Sequence, residues 1–253
     1  MERESGDRRW LDAAARLATP ALGSAGAGPT VGALVVDEPR QLLFGRGVTP
    51  PRGVTSAEHI ALNEARGLTE GRTLYITLEP AARYTSFAPI TNTIVASGIG
   101  RVVIGALDPD PEQAGAGLRA LAEAGIETAF YEHAPSQALN EGYAIRVTRG
   151  RPFVTLKLTL TADAMVGRGE VGGEPILGAE ALRFVERERA AADAVLSGAA
   201  RAELEDNDLR VHLDGLEARA GLRVILAGSR DLDLRRDLFA AVTGVPIMVV
   251  TTP

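Results

Sequence analysis

Ser56-Ala57-Glu58-His59-Ile60-Ala61-Leu62-Asn63-Glu64-Ala65-Arg66, followed closely by Thr73-Leu74-Tyr75-Ile76-Thr77-Leu78-Glu79-Pro80-Ala81, decides how the chain folds. Ser56 is a natural N-cap, and Ala57, Ile60, Ala61 and Ala65 suit a helix interior, so a helix is predicted over Ser56–Arg66. Thr73–Leu78 is a compact apolar run ended by Glu79-Pro80, and it reads as a strand. A helix feeding a strand in this way belongs to an α/β unit.

The same alternation extends outward. Upstream, Val31–Val36 reads as a buried strand, Asp37-Glu38-Pro39 as a turn, and Leu42–Gly47 as the returning strand of a hairpin. A short amphipathic helix is expected at Arg9–Leu17, with Trp10, Leu11, Ala14 and Leu17 on one face, broken by Pro20 and the Gly-rich run Gly23–Gly28. Downstream come a helix at Asn92–Ser97, a strand at Arg101–Gly105, a helix at Leu118–Ala124 closed by Gly125, and a strand at Glu127–Tyr131. Strands alternating with helices predict a three-layer α/β domain with a largely parallel sheet.

Arg146–Pro152 reads as a linker into a second α/β unit. There a long apolar strand is expected at Phe153–Leu160, a helix at Ala179–Ala192, and strands at Ala194–Gly198, Leu222–Ala227 and Val245–Val250. No helix follows the last strand, and buried parallel strands need both faces covered. The expected division is therefore 1–27, an N-terminal helix and Gly-rich lead-in; 28–146, the first α/β domain; and 147–253, a partial second one.

Of the 253 residues, 45% are hydrophobic and 24% charged, the balance of an ordinary globular protein. The net charge of −6 is spread along the chain without a basic stripe, which argues against nucleic acid as a partner. There are no cysteines, so disulfides, thiolate metal sites and a cysteine nucleophile are excluded. The charged stretch Met1–Asp7 has no apolar run behind it, and no segment is apolar for long enough to span a bilayer. A cytoplasmic protein without membrane partners is expected.

The chemistry turns on Ser56-Ala57-Glu58 and Glu79-Pro80-Ala81. A zinc site for nucleobase deamination uses His-x-Glu at a helix start, then Pro-Cys at a second helix, with another Cys beyond. Its three ligands let zinc ionise a water near neutral pH while the Glu carries the proton. Here the Glu is present without the ligands. Its plainer reading is an acidic residue in the first turn of a helix, favoured by the dipole.

Val31-Gly32-Ala33, Ala57-Glu58, Thr77–Pro80, Ala96–Ile99 and Arg101–Val103 together resemble the deaminase half of the bifunctional riboflavin-biosynthesis deaminase/reductases. So do Asp108–Pro111, Ala114–Leu118 and Ala124–Ile126, in the same order and spacing. Asn140–Tyr143 and Arg151–Leu158 are similar to that family's passage into its reductase half. The resemblance runs from about Gly28 to the end. It implies a cytidine-deaminase-like three-layer α/β/α domain followed by a partial dihydrofolate-reductase-like α/β domain.

Carried over by position, Ser56 stands where the resemblance implies the ligand His, Ala81 where it implies the first Cys, and Ile90 where it implies the second. Gly28 replaces an Asn of the pyrimidine pocket, and Glu58 remains as the proton-shuttle position. His59 is a single donor, with His133 and His212 far off in sequence, so no metal is expected. A pocket reused for another ligand would draw on Arg83, Tyr84 and Asn92, each of which also reads as an ordinary loop or helix residue.

In the second half, Lys157 and Asp163 match the reductase pattern, with Ala164 where the family has Gly. Gly172–Leu177 lacks the family's Trp and Thr. In Arg201–His212, Leu209 is unchanged and Glu205 is a conservative replacement. The charge run Glu203–Asp208 also reads simply as a solvated loop. The family's Gly-Gly turn, which holds cofactor phosphates, falls beyond the position of Pro253.

Glu58, Lys157, Asp163, Glu205 and Leu209 are thus the expected substrate-binding positions, with no catalytic residue and no metal ligand assigned. The expectation is a catalytically degenerate relative without deaminase activity that serves as a binding or assembly module. The alternative is a residual NADPH-dependent reductase or a pyrimidine- or pterin-binding protein of the same pathway. Family members pair through the reductase-like domain, and an unfinished sheet leaves an apolar face and an edge. An oligomer or a complex with a protein partner is therefore expected.

Overall fold

A computed structural model describes residues 2–83, 88–165, 177–200, 202, 208–219, 221–235, 237–240 and 245–252. It divides into two compact units, Met1–Val154 and Thr155–Pro253.

In the first unit, α1 (Glu2–Ala18) precedes the hairpin of β1 (Gly32–Asp37) and β2 (Leu42–Val48). Then come α2 (Ala57–Glu64), β3 (Thr73–Ile76), α3 (Ile90–Ala96), β4 (Arg101–Ile104), α4 (Ala116–Glu123) and β5 (Glu127–Phe130). Two short helices, α5 (Ala134–Ala138) and α6 (Glu141–Arg149), close the unit. The strand order is β2-β1-β3-β4-β5. β1 runs antiparallel to both β2 and β3, while β3, β4 and β5 are mutually parallel. The sheet is therefore mixed rather than largely parallel, because the tight turn after Asp37 forces β1 and β2 into a hairpin.

The period of two along the strands sorts their side chains into two layers. Ala33, Val35, Leu74, Ile76, Val102 and Ile104 pack with Ala57 and Ala61 of α2, Ile94 of α3 and Leu121 of α4. Leu34, Val36, Tyr75 and Val103 pack instead with Leu11 and Ala14 of α1. The expected apolar face of α1 is there, but the helix starts at Glu2, not Arg9.

Its polar first half is held through Asp7. That carboxylate takes both Arg101 terminal nitrogens at 2.8 Å and the Tyr75 and Tyr131 hydroxyls at 2.9 Å. Arg101 also reaches Glu38 at 2.8 Å and Glu127 at 3.1 Å.

The expected linker at Arg146–Pro152 instead begins as the end of α6. That helix has Glu141 in its first turn, Arg146 and Arg149 in its last, and Gly150 in the left-handed conformation (φ 61°) behind it. Acid at the start, base at the end and glycine as the stop outweigh the linker-like composition.

The second unit has α7 (Ala179–Ala191), β6 (Ala194–Gly198), β7 (Leu222–Gly228), α8 (Asp237–Ala240) and β8 (Ile247–Thr251). The strands form a parallel sheet ordered β6-β7-β8. One face packs Ile225 and Ala227 against Leu209, Leu238 and Phe239. The register aligns Leu196, Val224 and Met248, and then Gly198, Leu226 and Val250, on the opposite face. Leu196, Leu226, Met248 and Val250 are exposed there.

Phe153–Leu160, expected as a strand, is not one: it pairs with no strand among the described residues. Val154 is 73% and Leu156 79% exposed. An apolar run becomes a strand only when a neighbour accepts its backbone ladder.

Candidate functional site

Helix α2 is set by its contact with β2. A Cβ on Gly47 would lie 1.9 Å from the Ala57 carbonyl oxygen, and one on Gly45 2.1 Å from that of Ala61. Only glycines let the helix backbone lie this close on the strand. That seating fixes the helix start. Ser56 is extended (φ −90°, ψ 155°), and its hydroxyl oxygen accepts from the His59 N–H at 3.2 Å.

Glu58 turns inward from this start and is only 4% exposed. Burial pushes its carboxyl above the ordinary range, against the opposing effect of its own N–H and of the Ser56 hydroxyl, both hydrogen-bonded to it. Among the described residues it makes no ion pair. His59, the next residue along the helix, points to solvent. Packing of α3 against α2 brings the second helix start alongside, where the Thr91 N–H meets the Ala81 carbonyl at 3.5 Å. Ala81 and Ile90 are partly buried hydrocarbon side chains at this junction.

A folded-state value above the unfolded one means the carboxyl favours folding below its ordinary range and loses that contribution as pH rises through the raised value. Glu58→Gln keeps the shape without the charge. We expect the variant to gain on the parent by about 1.4 kcal/mol for each pH unit over which only the folded parent holds the proton. Urea denaturation between pH 5 and pH 8 reads this. A Glu58→Gln variant that is weaker by the same amount at every pH would disprove it.

Glu79 belongs to the stretch that decides the fold, yet its own task is not visible in the sequence. Buried to 4% exposure, it accepts four backbone N–H groups. One oxygen takes Gly117 at 2.8 Å and Leu118 at 3.2 Å; the other takes Gly115 at 2.9 Å and Asp108 at 3.2 Å. It therefore caps α4 and fastens the loop before it. The Gly115-Ala116-Gly117 approach to a helix start is the available signal. Asn140 does similar work at the lead-in to β1: its side-chain amide exchanges two hydrogen bonds with the Thr30 backbone, at 2.8 and 3.0 Å. Gly28 is exposed just before it.

Arg83 is exposed and pairs with Glu112 at 4.0 Å, and Asn92 is also exposed; Tyr84 lies outside the described residues. Among the described residues, no three His, Asp or Glu side chains stand together as a metal-ligand group. No described helix is long and apolar enough to cross a membrane.

In the second unit, Lys157 is exposed and makes no ion pair among the described residues. Asp163 is exposed in a turn, where it accepts the Thr161 hydroxyl. The turn is closed by Thr161 N–H to Met165 O and Ala164 N–H to Thr161 O, both at 2.9 Å. Ala164 has φ 62°, a conformation in which glycine is easier. Leu209 is buried in the second core, with φ 56°. Glu205 and most of Gly172–Leu177 lie outside the described residues, so the five expected positions are not seen as one assembled site.

The family model described as the RibD C-terminal domain matches residues 152–253. The riboflavin biosynthesis protein RibD of Aquifex aeolicus is 33% identical over 97% of this chain and 68% of its own length. That of Synechocystis is 32% identical over 88% of this chain. The chain spans 60% of that Synechocystis relative. The solved diaminohydroxyphosphoribosylaminopyrimidine deaminase/5-amino-6-(5-phosphoribosylamino)uracil reductase of Thermotoga maritima superposes with a TM-score of 0.85 at 30% identity. The match covers 98% of this chain and 70% of that one. RibD of Acinetobacter baumannii gives 0.84 at the same identity and coverage. With such matches spanning both units, the chain belongs to the RibD family of riboflavin-biosynthesis deaminase/reductases.

Proposed function

We propose that this chain is a RibD-family member without zinc-dependent deamination, and that it acts as a binding or assembly module of the riboflavin pathway. The observation that carries this reading is the donor chemistry around Glu58. A catalytic zinc needs three protein ligands and an open position for water. Ala81 and Ile90 have no donor atom, the Ser56 hydroxyl is committed to the His59 N–H and to Glu58, and the His59 ring faces solvent. These residues do not fit the ion. A lone buried carboxyl, without an activated water, has nothing to deliver to a ring carbon.

The ligand-facing half is then the second unit. Assembly is supported by the exposed apolar side chains of Leu196, Leu226, Met248 and Val250 on one face of its parallel sheet, since such faces are ordinarily covered. The covering partner is a second copy of the chain or another protein.

A second reading, residual NADPH-dependent reduction of a pyrimidine or pterin, is favoured by one specific observation. The RibD C-terminal match covers residues 152–253, and within it the Thr161–Met165 turn holds Ala164 at φ 62°, a conformation that favours glycine. Lys157, Asp163 and Glu205 are the positions to substitute under that reading.

A thermal-shift titration with NADPH and with 5-amino-6-(5-phosphoribosylamino)uracil tests the proposal. A ligand that binds the native state raises Tm with concentration, by about 2.7 kcal/mol of added stability at one hundred times Kd. The binding-module reading expects a shift with the pyrimidine alone. Shifts with both, together with NADPH oxidation, favour the reductase. No shift with either removes the small-molecule role and leaves assembly.

A further inference from the structure

On the face of the first sheet opposite α2 and Glu58, residues of α1, of the β1–β2 turn and of β3 line an open cleft of about 350 Å³. Two of its walls are rings: Trp10, the only tryptophan of the chain, and Tyr75, with centres 6.2 Å apart. Gly6 lines it from within α1, and a Cβ built there would meet nothing within 4 Å. Glycine is a poor residue inside a helix. Close packing does not require it here; what its missing side chain keeps free is the cleft.

The charges around the cleft do not balance. Arg101 holds Asp7, Glu38 and Glu127, and Arg3 holds Glu127. Three carboxylates therefore meet two guanidiniums, and one negative charge is in excess. Asp7 has both oxygens engaged, by Arg101 and the two tyrosine hydroxyls. Glu38 does not. Its Oε1 accepts the Thr73 hydroxyl at 2.6 Å and Arg101 at 2.8 Å, and lies 3.0 Å from the Tyr75 hydroxyl. Its Oε2 accepts nothing among the described residues, and the side chain is 25% exposed. Burial alone would raise this carboxyl; the hydrogen bonds from Thr73, Tyr75 and Arg101 and the Arg101 charge outweigh it and hold the group ionised, below its ordinary range. Arg9 does not line the cleft: its guanidinium donates to Gln41 and lies 5.6 Å from the centre of the Trp10 ring.

We propose that this cleft binds a small organic cation of the guanidinium class, its N–H groups donating to Glu38 Oε2 and its plane lying on Trp10 and Tyr75. An ionised carboxylate with one oxygen uncommitted takes a charged donor best. Aromatic walls favour a planar, weakly hydrated cation over a compact ammonium. Concave shape, rings and one charged group to fix orientation are the usual make-up of a small-molecule site.

The test is a titration of the full chain with agmatine, read by Trp10 emission, against sodium chloride at matched ionic strength. A saturable change with agmatine alone is expected. Gly6→Ala leaves the cleft open and should bind as the parent does. Gly6→Leu puts a side chain into the cleft on a residue better suited to a helix, and affinity should fall about tenfold or more. Glu38→Gln keeps the shape without the charge and should lose a similar factor; it decides the matter if the leucine variant does not fold. Acetyl-Gly-Arg-Gly-amide offers the same group as a side chain, and agmatine should bind at least as tightly.

No saturable change beyond that given by salt overturns the inference. So does agmatine affinity that is unchanged in either folded variant, Gly6→Leu or Glu38→Gln, since the probe would then lie elsewhere. A peptide that binds more tightly than agmatine overturns the assignment to a small molecule and gives the cleft to an arginine side chain.

Discussion

Replacing Asp7 by alanine is expected to destabilise the first unit by about 2–3 kcal/mol, because it takes the bidentate partner from the buried Arg101 guanidinium, which keeps only Glu38 and Glu127 as carboxylate partners among the described residues. Arg101 has a side-chain exposure of only 6% and Asp7 of 1%, so solvent cannot take over. The Tyr75 and Tyr131 hydroxyls lose the same acceptor. Burial alone would raise the Asp7 carboxyl; the hydrogen bonds from Arg101, Tyr131 and Tyr75 and the charge of Arg101 overcome it and hold the group below its usual 3.8.

With the folded value depressed, the stabilisation is present above the ordinary carboxylate range and disappears as pH falls through the folded value. The deficit of Asp7→Ala should thus be steady from pH 6 to 8 and shrink only in acid. Chemical denaturation across that range measures it. A loss under about 1 kcal/mol would mean that the network is solvated in solution and behaves as a surface pair.

The second large effect is expected at Glu79. Removing its carboxylate strands four backbone N–H groups at the start of α4 and in the loop before it. Hydrogen bonds to a charged acceptor are worth about 1.5–3 kcal/mol each, and they are not additive within one group. Glu79→Ala should cost about 3 kcal/mol or more. Glu79→Gln should recover only part of this, because its amide oxygen serves one pair of N–H groups while its NH2 confronts the other. Amide exchange at Gly117 and Leu118 should rise in both variants. If the glutamine variant matched the parent in stability and protection, the carboxylate would not be the cap described.

The contrast between these residues and the rest of the fold shows what a sequence discloses. The strands of the first unit, the Ser56 cap and the apolar face of α1 are legible because each is a local pattern: a period, a capping residue, a turn. Asp7 looks like part of a charged terminus because its partner, Arg101, is 94 residues away and nothing local announces the pairing. Arg223 sits inside a run that reads as an ordinary strand, yet it is fully buried, and its partners, the carbonyls of Asp208, Leu238 and Val245, carry no signature at all. The β1–β2 hairpin is legible from its turn, but the antiparallel pairing of β1 with β3 is not, because the direction in which strands distant in sequence pair depends on the connections. Phe153–Leu160 misleads because apolar content measures a wish for burial and says nothing about whether a neighbouring strand exists.

The candidate site divides the same way. The substitutions at Ser56, Ala81 and Ile90 can be read directly, since a hydrocarbon is no ligand in any fold. What needs three dimensions is the fate of what remains: Ser56 bonded to the His59 N–H and to Glu58, and Glu58 buried without a counter-ion among the described residues. Keeping an uncompensated acid inside a small α/β unit is costly, which is why the Glu58→Gln series reports on the site itself.

Zinc stoichiometry tests directly whether the residues around Glu58 can hold the metal. The parent chain and an S56H/A81C/I90C variant would be loaded with zinc, dialysed, and analysed for bound metal and for ammonia release from diaminohydroxyphosphoribosylaminopyrimidine. Negligible zinc and no ammonia are expected from the parent, with metal retained by the variant in which three ligands are restored. A parent that keeps about one zinc per chain and releases ammonia in a manner abolished by Glu58→Gln would contradict that expectation.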